Sequence, residues 1–385
     1  MFKAHIKLFC LIFLSAVFAV FYFFYEPDEF HHFSYLCSIY NKDNKLVESI
    51  PNYVFCDYSS DGKTIASNPF KGELTLFNKN TEKVWTSKEF IHHDVKFSTD
   101  EKTILLISSE IINYENAQVR SDCVSQRDLN NLIIHEWCLK DHITELSKLG
   151  FNMSKRPFKN NFTGEKVAFE ITHTNSIYEI PENVTSKNNA AFSKGNFIVN
   201  LYGRTGALII LDKQMKSILW SLNFFDFTLD NLKYSAHTHD IQVLSNGNIL
   251  AYFNSFNYNL SALTSFANEI FQINDRIFQY KKNQPHSMLV EFDPIQKEIK
   301  WRYEDSPPEE FFSKTNGTVT KLDTNYVYST LSASGGEFIE INSEGKKLWS
   351  FQNTQVDAAT GKPVILIKAK PLKSLDYLDA KNLLD

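Results

Sequence analysis

Residues 236–254 read AHTHDIQVLSNGNILAYFN, and the prediction of the fold starts from this stretch. Apolar residues alternate with polar ones on both sides of Asn246 and Gly247. An Asn-Gly pair between two such runs is a strong signal for a β-hairpin. We therefore predict two antiparallel strands joined by a tight turn, with His239 near the start of the first strand.

Two other stretches follow the same plan and also open with a histidine. His93 begins a similar hairpin, and His173 begins a third, which returns through residues 195–199. In a closed repeat fold, residues at equivalent positions converge, so we predict that His93, His173 and His239 meet in one pocket. Because side chains alternate along a strand, His92 and His237 are predicted to face away from it.

A second kind of hairpin recurs along the chain, with an Asp or Asn before its turn and a tryptophan in its last strand. Five copies contain all five tryptophans, and a sixth, at residues 39–47, has none. Repeated hairpins with a fixed aromatic residue are typical of a β-propeller, and the aromatic packs between neighbouring sheets. Six copies predict an all-β fold with six blades, closed by a strand at residues 364–368.

The N-terminus carries an apolar run at residues 8–25, preceded by Lys3 and Lys7. Its length is near the lower limit for a transmembrane helix, and the basic flank predicts that the N-terminus stays inside. The alternative is a signal peptide cleaved after residues 17–19. The predicted organisation is an anchor at 1–25, a linker at 26–36 and a propeller at 37–385. Either reading places the propeller outside the cytoplasm, in a periplasmic, extracellular or lumenal space.

Charge and cysteine content narrow the partners and the compartment. The net charge of −5 provides no electrostatic case for binding nucleic acid. Four cysteines lie outside the apolar run, an even number that suits disulfides in an exported protein. Cys123–Cys138 is the favoured pair, although the connectivity stays open. The oligomeric state is not indicated.

Taken together, the two kinds of hairpin resemble the arylsulfotransferase family, the PAPS-independent arylsulfate sulfotransferases of the bacterial periplasm. The resemblance extends from about residue 55 to about residue 352 and rests on the order of its pieces. The matching pieces are IHHDVKF (91–97), HTNSIYEIP (173–181), GNFIVNLYGRTGALIILD (195–212), THDIQVLSNGNILAYFN (238–254), SMLVEFDPIQKEIKWRYE (287–304) and GEFIEINSEGKKLWSF (336–351).

The resemblance implies a six-bladed propeller whose central channel holds the active site. It implies transfer of a sulfuryl group from an aryl sulfate to a phenol by a ping-pong route through a sulfohistidine. His239 would be the nucleophile, His93 and His173 would flank the sulfate, and Arg204 would bind its oxygens. No cofactor and no metal are implied.

This chemistry is consistent with the residue types. A neutral imidazole can attack the sulfur of an aryl sulfate, a second histidine can protonate the departing oxygen, and an arginine can hold the sulfuryl oxygens. Asn175 would either hold the sulfate or cap a turn. Asp240 is interpreted as a strand residue that bonds its neighbours, or else as a partner that orients His239.

Three alternatives remain open. Convergent histidines also suit a zinc or copper centre with an open position, although the positive charge of Arg204 would oppose one. The protein would equally suit a non-catalytic propeller that binds partners at a membrane surface. A quinone-dependent dehydrogenase is the weakest alternative, since only the repeated tryptophans suggest it.

Overall fold

The structure is a computed structural model, and several predicted features lie outside the residues that it describes. These features are the anchor at 1–25, most of the linker at 26–36, Arg204 and the closing strand at 364–368. Within the part described, no helix is both long and apolar enough to span a bilayer. The described residues are 32–35, 37–69, 71–157, 169–202, 206–224, 228–229, 232–258, 287–306, 311–313, 316–330, 336–354 and 369–372.

The chain forms an all-β arrangement of the β-propeller type, in which five blades are each built from one continuous stretch. Three strands precede the blades: β1 (His32–Tyr35), β2 (Ser38–Asn41) and β3 (Leu46–Ser49). The first blade contains β4 (Phe55–Tyr58), β5 (Thr64–Asn68), β6 (Glu73–Phe77) and β7 (Lys83–Lys88). The second contains β8 (Ile91–Phe97), β9 (Thr103–Tyr114), β10 (Ala117–Asp128), β11 (Ile133–Cys138), the helix α1 (Leu139–Lys148), β12 (Arg156–Pro157) and β13 (Phe169–Glu170).

The remaining blades follow in sequence. The third contains β14 (His173–Glu179), β15 (Phe197–Tyr202), β16 (Ala207–Leu211) and β17 (Ile218–Asn223). The fourth contains β18 (Thr228–Leu229), β19 (Leu232–Val243), β20 (Ile249–Tyr258), β21 (Met288–Asp293) and β22 (Glu298–Tyr303). The fifth contains β23 (Thr318–Lys321), β24 (Asn325–Thr330), β25 (Glu337–Asn342) and β26 (Lys347–Gln352), and β27 (Ala369–Leu372) ends the described chain.

The prediction of six blades was wrong, because consecutive strands build only five in the described part of the chain. The sixth hairpin copy forms β2 and β3, which lie in a sheet of order β27-β1-β2-β3. Among the residues that the structure describes, three strands precede the first blade, and the fourth strand of this composite sheet, β27, comes from near the other end of the chain. A count of hairpins could not reveal that.

The composite sheet lies between the fifth blade and the first. On one side, the indole N–H of Trp349 donates to the carbonyl of Lys42 at 2.9 Å. On the other side, a disulfide joins Cys37 to Cys56 on β4, and Lys370 of β27 pairs with Asp57. The predicted Cys123–Cys138 disulfide is confirmed and links facing residues of β10 and β11.

The outer strands show why the tryptophan recurs. Trp85 donates to the carbonyl of Leu129 in the next blade at 2.8 Å, and Trp301 donates to that of Ser343 at 2.8 Å. The Asp or Asn before each turn accepts backbone N–H bonds across it, as Asp212 does from Gln214 and Lys216. These side-chain bonds set the turn, and the indole then ties one blade to its neighbour.

The inner strands are joined by aspartates that accept a backbone N–H from the next blade. Asp57 accepts from Phe97, and Asp94 accepts from Ile177. Asp240 accepts from the N–H of Val319 at 3.0 Å and from the hydroxyl of Tyr178 at 2.9 Å. These contacts agree with the interpretation of Asp240 as a strand residue that bonds its neighbours. Apolar clusters fill the spaces between successive sheets, so the core is distributed around the ring.

Candidate functional site

The three inner strands that carry the predicted histidines each contain an irregularity at that point. In β8, Ile91 pairs with Ser108 and Val95 with Leu106, so residues 92–94 bulge out of register. The extra residue of β14 is Asn175, and that of β19 is His239. A β-bulge bends the strand and redirects its side chains, as is common beside active sites. The backbone of His93 also has a φ of 59°, a left-handed conformation that few residues other than glycine adopt.

The predicted histidines lie together at these positions of the inner strands. The Nε2 atoms of His93 and His173 lie 3.1 Å apart. The ring centroids of His93 and His239 are separated by 6.3 Å. Residues that lie far apart along the chain therefore form one cluster on neighbouring inner strands.

The expectation that His92 faces away was wrong. Its Nδ1 lies 2.7 Å from Nδ1 of His93, and its Nε2 lies 3.1 Å from Oδ1 of Asp122. The prediction assumed that side chains alternate along an uninterrupted strand. The bulge at residues 92–94 interrupts the strand, so the alternation does not hold there. The side chain of His237 is outside the described part of the structure.

Two charged residues that sequence reasoning missed complete one side of the cluster. Arg120, on β10, places Nη2 2.7 Å from Nδ1 of His173, and Glu170, on β13, places Oε2 2.9 Å from the same nitrogen. Arg120 and Glu170 also contact each other at 2.9 Å, and Arg156 pairs with the other oxygen of Glu170. The available signal was a pair of charged residues, Arg120 and Asp122, at alternate positions of a buried strand.

Asp122 is held as a carboxylate by several donors. Its oxygens accept from the backbone N–H of Thr174 at 2.7 Å and from the hydroxyl of Ser109 at 2.9 Å. Burial alone would raise the pKa of Asp122, but the charge of Arg120 and the contact with His92 hold it far below the usual range. The side chain is therefore ionised at neutral pH.

For the other titratable groups of the cluster, the net pKa shift follows burial, toward the neutral form. Burial lowers the pKa of His93 well below the ordinary value, and the neighbouring His173, His92 and His239 lower it further. Burial and then the charge of Arg120 lower the pKa of His173 well below the ordinary value. Burial raises the pKa of Glu170 to about 7, although Arg120 and Arg156 act in the opposite direction. At neutral pH, His93 and His173 are neutral.

His239 has a defined orientation. Its Nδ1 contacts Oδ1 of Asn254, and its Nε2 accepts the backbone N–H of Asn316 at 3.1 Å. The amide of Asn254 is fixed because its Nδ2 donates to the carbonyls of Ser313 and Asn316. The proton of His239 therefore lies on Nδ1, and the lone pair lies on Nε2. The ring of Tyr202 lies 5.2 Å from that of His239.

A cavity of about 20 Å³ lies beside His93 and His239, and this volume suits a single water molecule. Asn175, which also lines it, donates from Nδ2 to the carbonyl of Thr238 at 3.1 Å. Its buried Oδ1 has no hydrogen-bond partner among the described residues. Asn175 thus offers the cavity an acceptor, whereas a sulfate oxygen needs a donor. The other lining residues are Phe55, Asp240, Asn316, Gly317 and Thr318.

The geometry does not make the histidines a compact metal-ligand set. Within the described ranges, one group of His, Cys, Asp and Glu side chains has three ligand atoms close enough for one ion. That group is Glu110, Cys123 and Cys138, and its two cysteines are joined in a disulfide.

Comparison with known proteins supports the fold alone. No protein-family model matches the chain, and no curated protein matches it. It is similar to a crystal structure of a protein of unknown function from Bacteroides caccae, with a TM-score of 0.50, 13% identity, and coverage of 90% of this chain and 100% of that one. More distant likenesses are BamB from Moraxella catarrhalis (TM-score 0.37, 8% identity, 80% of each chain) and virginiamycin B lyase from Staphylococcus aureus (TM-score 0.38, 10% identity, 81% of this chain and 72% of that one).

Proposed function

We propose that this protein is an arylsulfotransferase-like enzyme, which moves a sulfuryl group from an aryl sulfate to a phenol. The observation that supports it is the convergence of His93, His173 and His239 beside the guanidinium of Arg120. Nucleophile, proton donor and cation are the groups that transfer of an anionic sulfuryl group needs.

In this proposal, Nε2 of His239 is the nucleophile. Asn254 holds the proton on Nδ1, so Nε2 keeps the lone pair that attacks sulfur. The N–H of Asn316, which Nε2 accepts in the resting arrangement, is released when the nitrogen bonds to sulfur and then lies beside the sulfuryl oxygens. The sequence resemblance adds Arg204 as a further ligand of those oxygens.

The other groups take roles that follow from their chemistry. His93, which lines the cavity, protonates the departing aryl oxygen. Asn175 accepts a hydrogen bond from the hydroxyl of the incoming phenol, because it lines the cavity and its buried Oδ1 has no partner among the described residues. In the first half-reaction the S–O bond to the aryl group breaks as the S–N bond to His239 forms. In the second, the acceptor oxygen displaces that nitrogen.

The wider setting of the site is part of the proposal. The composite sheet, between the fifth blade and the first, closes the ring around the cluster. The propeller lies outside the cytoplasm, held by residues 1–25 as a membrane anchor or released after their cleavage. The two disulfides support this location, because they persist in oxidising compartments.

The test is incubation with 4-nitrophenyl sulfate, followed by intact-mass analysis and by the absorbance of nitrophenolate. We expect one sulfuryl adduct and a matching burst of phenol. The variant His239→Ala should lose both while keeping the circular dichroism of the wild type. His135→Ala, on the outer strand β11, is the matched control and should retain both. A wild-type protein that yields neither adduct nor burst would rule out this function.

A second candidate, a propeller that binds a partner without catalysis, is favoured by one observation. Both ring nitrogens of His239 and of His93 already contact protein groups, and the cavity between them is small. On this reading, the cluster is a structural polar core. It predicts no adduct and no burst.

A further inference from the structure

Five polar groups form a continuous line of contacts from the second blade into the cluster. Starting from Asp122, the distances are 3.1 Å to His92, 2.7 Å from His92 to His93, 3.1 Å from His93 to His173, and 2.9 Å from His173 to Glu170. Each imidazole uses both nitrogens, one toward each neighbour. A line of this kind has a direction, because each contact between two such atoms needs one proton.

The ionised Asp122 sets that direction. A carboxylate only accepts, so Nε2 of His92 carries a proton and donates to it. With one proton on each imidazole, a proton on Nε2 of His92 leaves its Nδ1 as an acceptor, so the next contacts require a proton on Nδ1 of His93 and then on Nε2 of His173. Nδ1 of His173 is left as an acceptor.

At the far end, two acceptors would face each other unless one more proton is present. Nδ1 of His173 and Oε2 of Glu170 lie 2.9 Å apart, and Nη2 of Arg120 lies within 2.9 Å of both. Arginine remains protonated in proteins, so its N–H groups bridge the two atoms without supplying a mobile proton. Repulsion between the acceptors is removed when Glu170 holds the proton. The side chain of Glu170 is 1% exposed, which also favours its neutral form.

We propose that Glu170, His173, His93 and His92 form a proton relay that Asp122 orients, with the mobile proton stored on Glu170. The role of the relay rests on the proposed function. That role is to exchange the proton of Glu170 with the aryl oxygen. Glu170 does not reach the cavity and is a relay residue rather than a catalytic one.

The proton balance can be written for both half-reactions. When the S–N bond to His239 forms, the departing aryl oxygen takes the proton on Nδ1 of His93, and the hydrogen bond from that nitrogen to His92 is broken. Glu170 gives its proton to Nδ1 of His173, and His173 passes its Nε2 proton to His93. Glu170 is then a carboxylate that compensates the positive charge of the sulfonated imidazole. The acceptor phenol returns its proton by the same path as the S–N bond breaks, so no other reactant is needed.

Two measurements test the relay without substrate. Infrared spectra of the whole protein near neutral pH should contain the carbonyl band of a protonated carboxylic acid, and this band should be lost in Glu170→Gln. Nitrogen NMR of histidine-labelled protein should show protons on Nε2 of His92, Nδ1 of His93 and Nε2 of His173. Glu291→Gln is the matched control, because Glu291 is a similarly buried glutamate whose pKa is lowered and which pairs with Lys321. That variant should remove no acid band.

Single-turnover kinetics test whether the relay exchanges a proton with the aryl oxygen during the reaction. Because Glu170 must be protonated in the first half-reaction, the rate of phenol release should fall as pH rises above about 7, tenfold per pH unit. Arg120, Arg156 and His173 contact Glu170; arginine stays protonated in proteins, and the pKa of His173 lies well below its ordinary value. Glu170→Gln should be about a hundredfold slower, with this pH dependence absent and substrate binding unchanged. Glu170→Asp should recover part of the rate.

The outcomes separate the two ideas. A wild-type burst without the acid band, or with the opposite tautomers, would overturn the relay and leave the proposed function standing. A burst in Glu170→Gln with an unaltered pH profile would also overturn it. Absence of any burst would overturn the proposed function, while the infrared and NMR patterns would still decide whether the relay exists. These wild-type spectra decide the matter even where Glu170→Gln does not fold.

Discussion

At the scale of single residues, the cluster depends on backbone conformations that break the regular strand. His93 has a positive φ. For a residue other than glycine, this conformation raises the free energy of the folded state by about 1–3 kcal/mol, and it persists only where the surrounding structure holds it. The hydrogen bonds of Asp94 and the packing of Ile91 hold this conformation in place. Outliers of this kind concentrate at functional sites, which is consistent with the proposed role of His93.

The pKa shifts predict how stability depends on pH. The folded pKa values of His93 and His173 lie below the unfolded value, so their contribution is present above about pH 6.5 and lost as pH falls. Glu170 acts in reverse, because its raised pKa gives a contribution that is lost as pH rises through about 7. Between about pH 6 and 5, unfolding therefore takes up about two protons at the histidines and releases about one at Glu170.

From this balance, these groups should lower the free energy of unfolding by about 1.4 kcal/mol per pH unit as pH falls from 6 to 5. In Glu170→Gln the slope should steepen to about 2.7 kcal/mol per pH unit, since the opposing proton is gone. Urea denaturation at several pH values measures this slope in the wild type and in Glu170→Gln. Glu291→Gln should keep the wild-type slope, because Glu291 is ionised in both states over this range. Equal slopes in Glu170→Gln and wild type would contradict the assignment.

At the scale of elements, the outer hairpins are local structures and the inner strands are not. An Asp or Asn that accepts turn N–H groups and a tryptophan seven to nine residues later define each outer hairpin from nearby sequence. The inner strands depend on bulges and on aspartates that bond the next blade. This difference explains why the hairpin repeats were readable while the direction of His92 was not.

The indole bonds give a prediction for the link between blades. Trp301→Phe removes the N–H bond to Ser343 and part of the stack on Tyr326, whose ring centroid lies 3.7 Å away. We expect a loss of about 1–2 kcal/mol in the free energy of unfolding. Leu348→Ala, an exposed position of an outer strand, should change it by less than about 0.5 kcal/mol. Equal effects would mean that Trp301 does not join the blades; chemical denaturation decides between these results.

At the scale of the whole molecule, the ring is closed by groups from distant parts of the chain. The composite sheet contacts the fifth blade through Trp349 and the first blade through Cys37 and Lys370. The disulfide at Cys37 and Cys56 joins two sheets, whereas that at Cys123 and Cys138 joins two strands of one blade. Of these two disulfides, only Cys37–Cys56 can hold neighbouring sheets of the ring together.

The two disulfides provide a matched pair of variants. Their sequence separations of 19 and 15 residues are similar, so the chain-entropy model assigns each about 3 kcal/mol through the unfolded state. We expect the double variant at Cys37 and Cys56 to lose more than that at Cys123 and Cys138. Hydrogen exchange should also rise in β1–β4 for the first double variant alone. Equal losses with unchanged exchange would show that the Cys37–Cys56 bond does not hold the ring closed.

The sequence by itself determined the features that are encoded over short distances. Alternating apolar residues, Asn-Gly or Asp turns and a regularly placed tryptophan specify hairpins, and hairpins in series specify a propeller-type fold. The grouping of His93, His173 and His239 followed from their equivalent places in three hairpins. The tertiary structure alone decided the composite sheet, the inward turn of His92 and the presence of Arg120 and Glu170 beside His173. Each of these depends on contacts between residues far apart in the chain, or on a bulge that shifts the register, and neither leaves a local pattern.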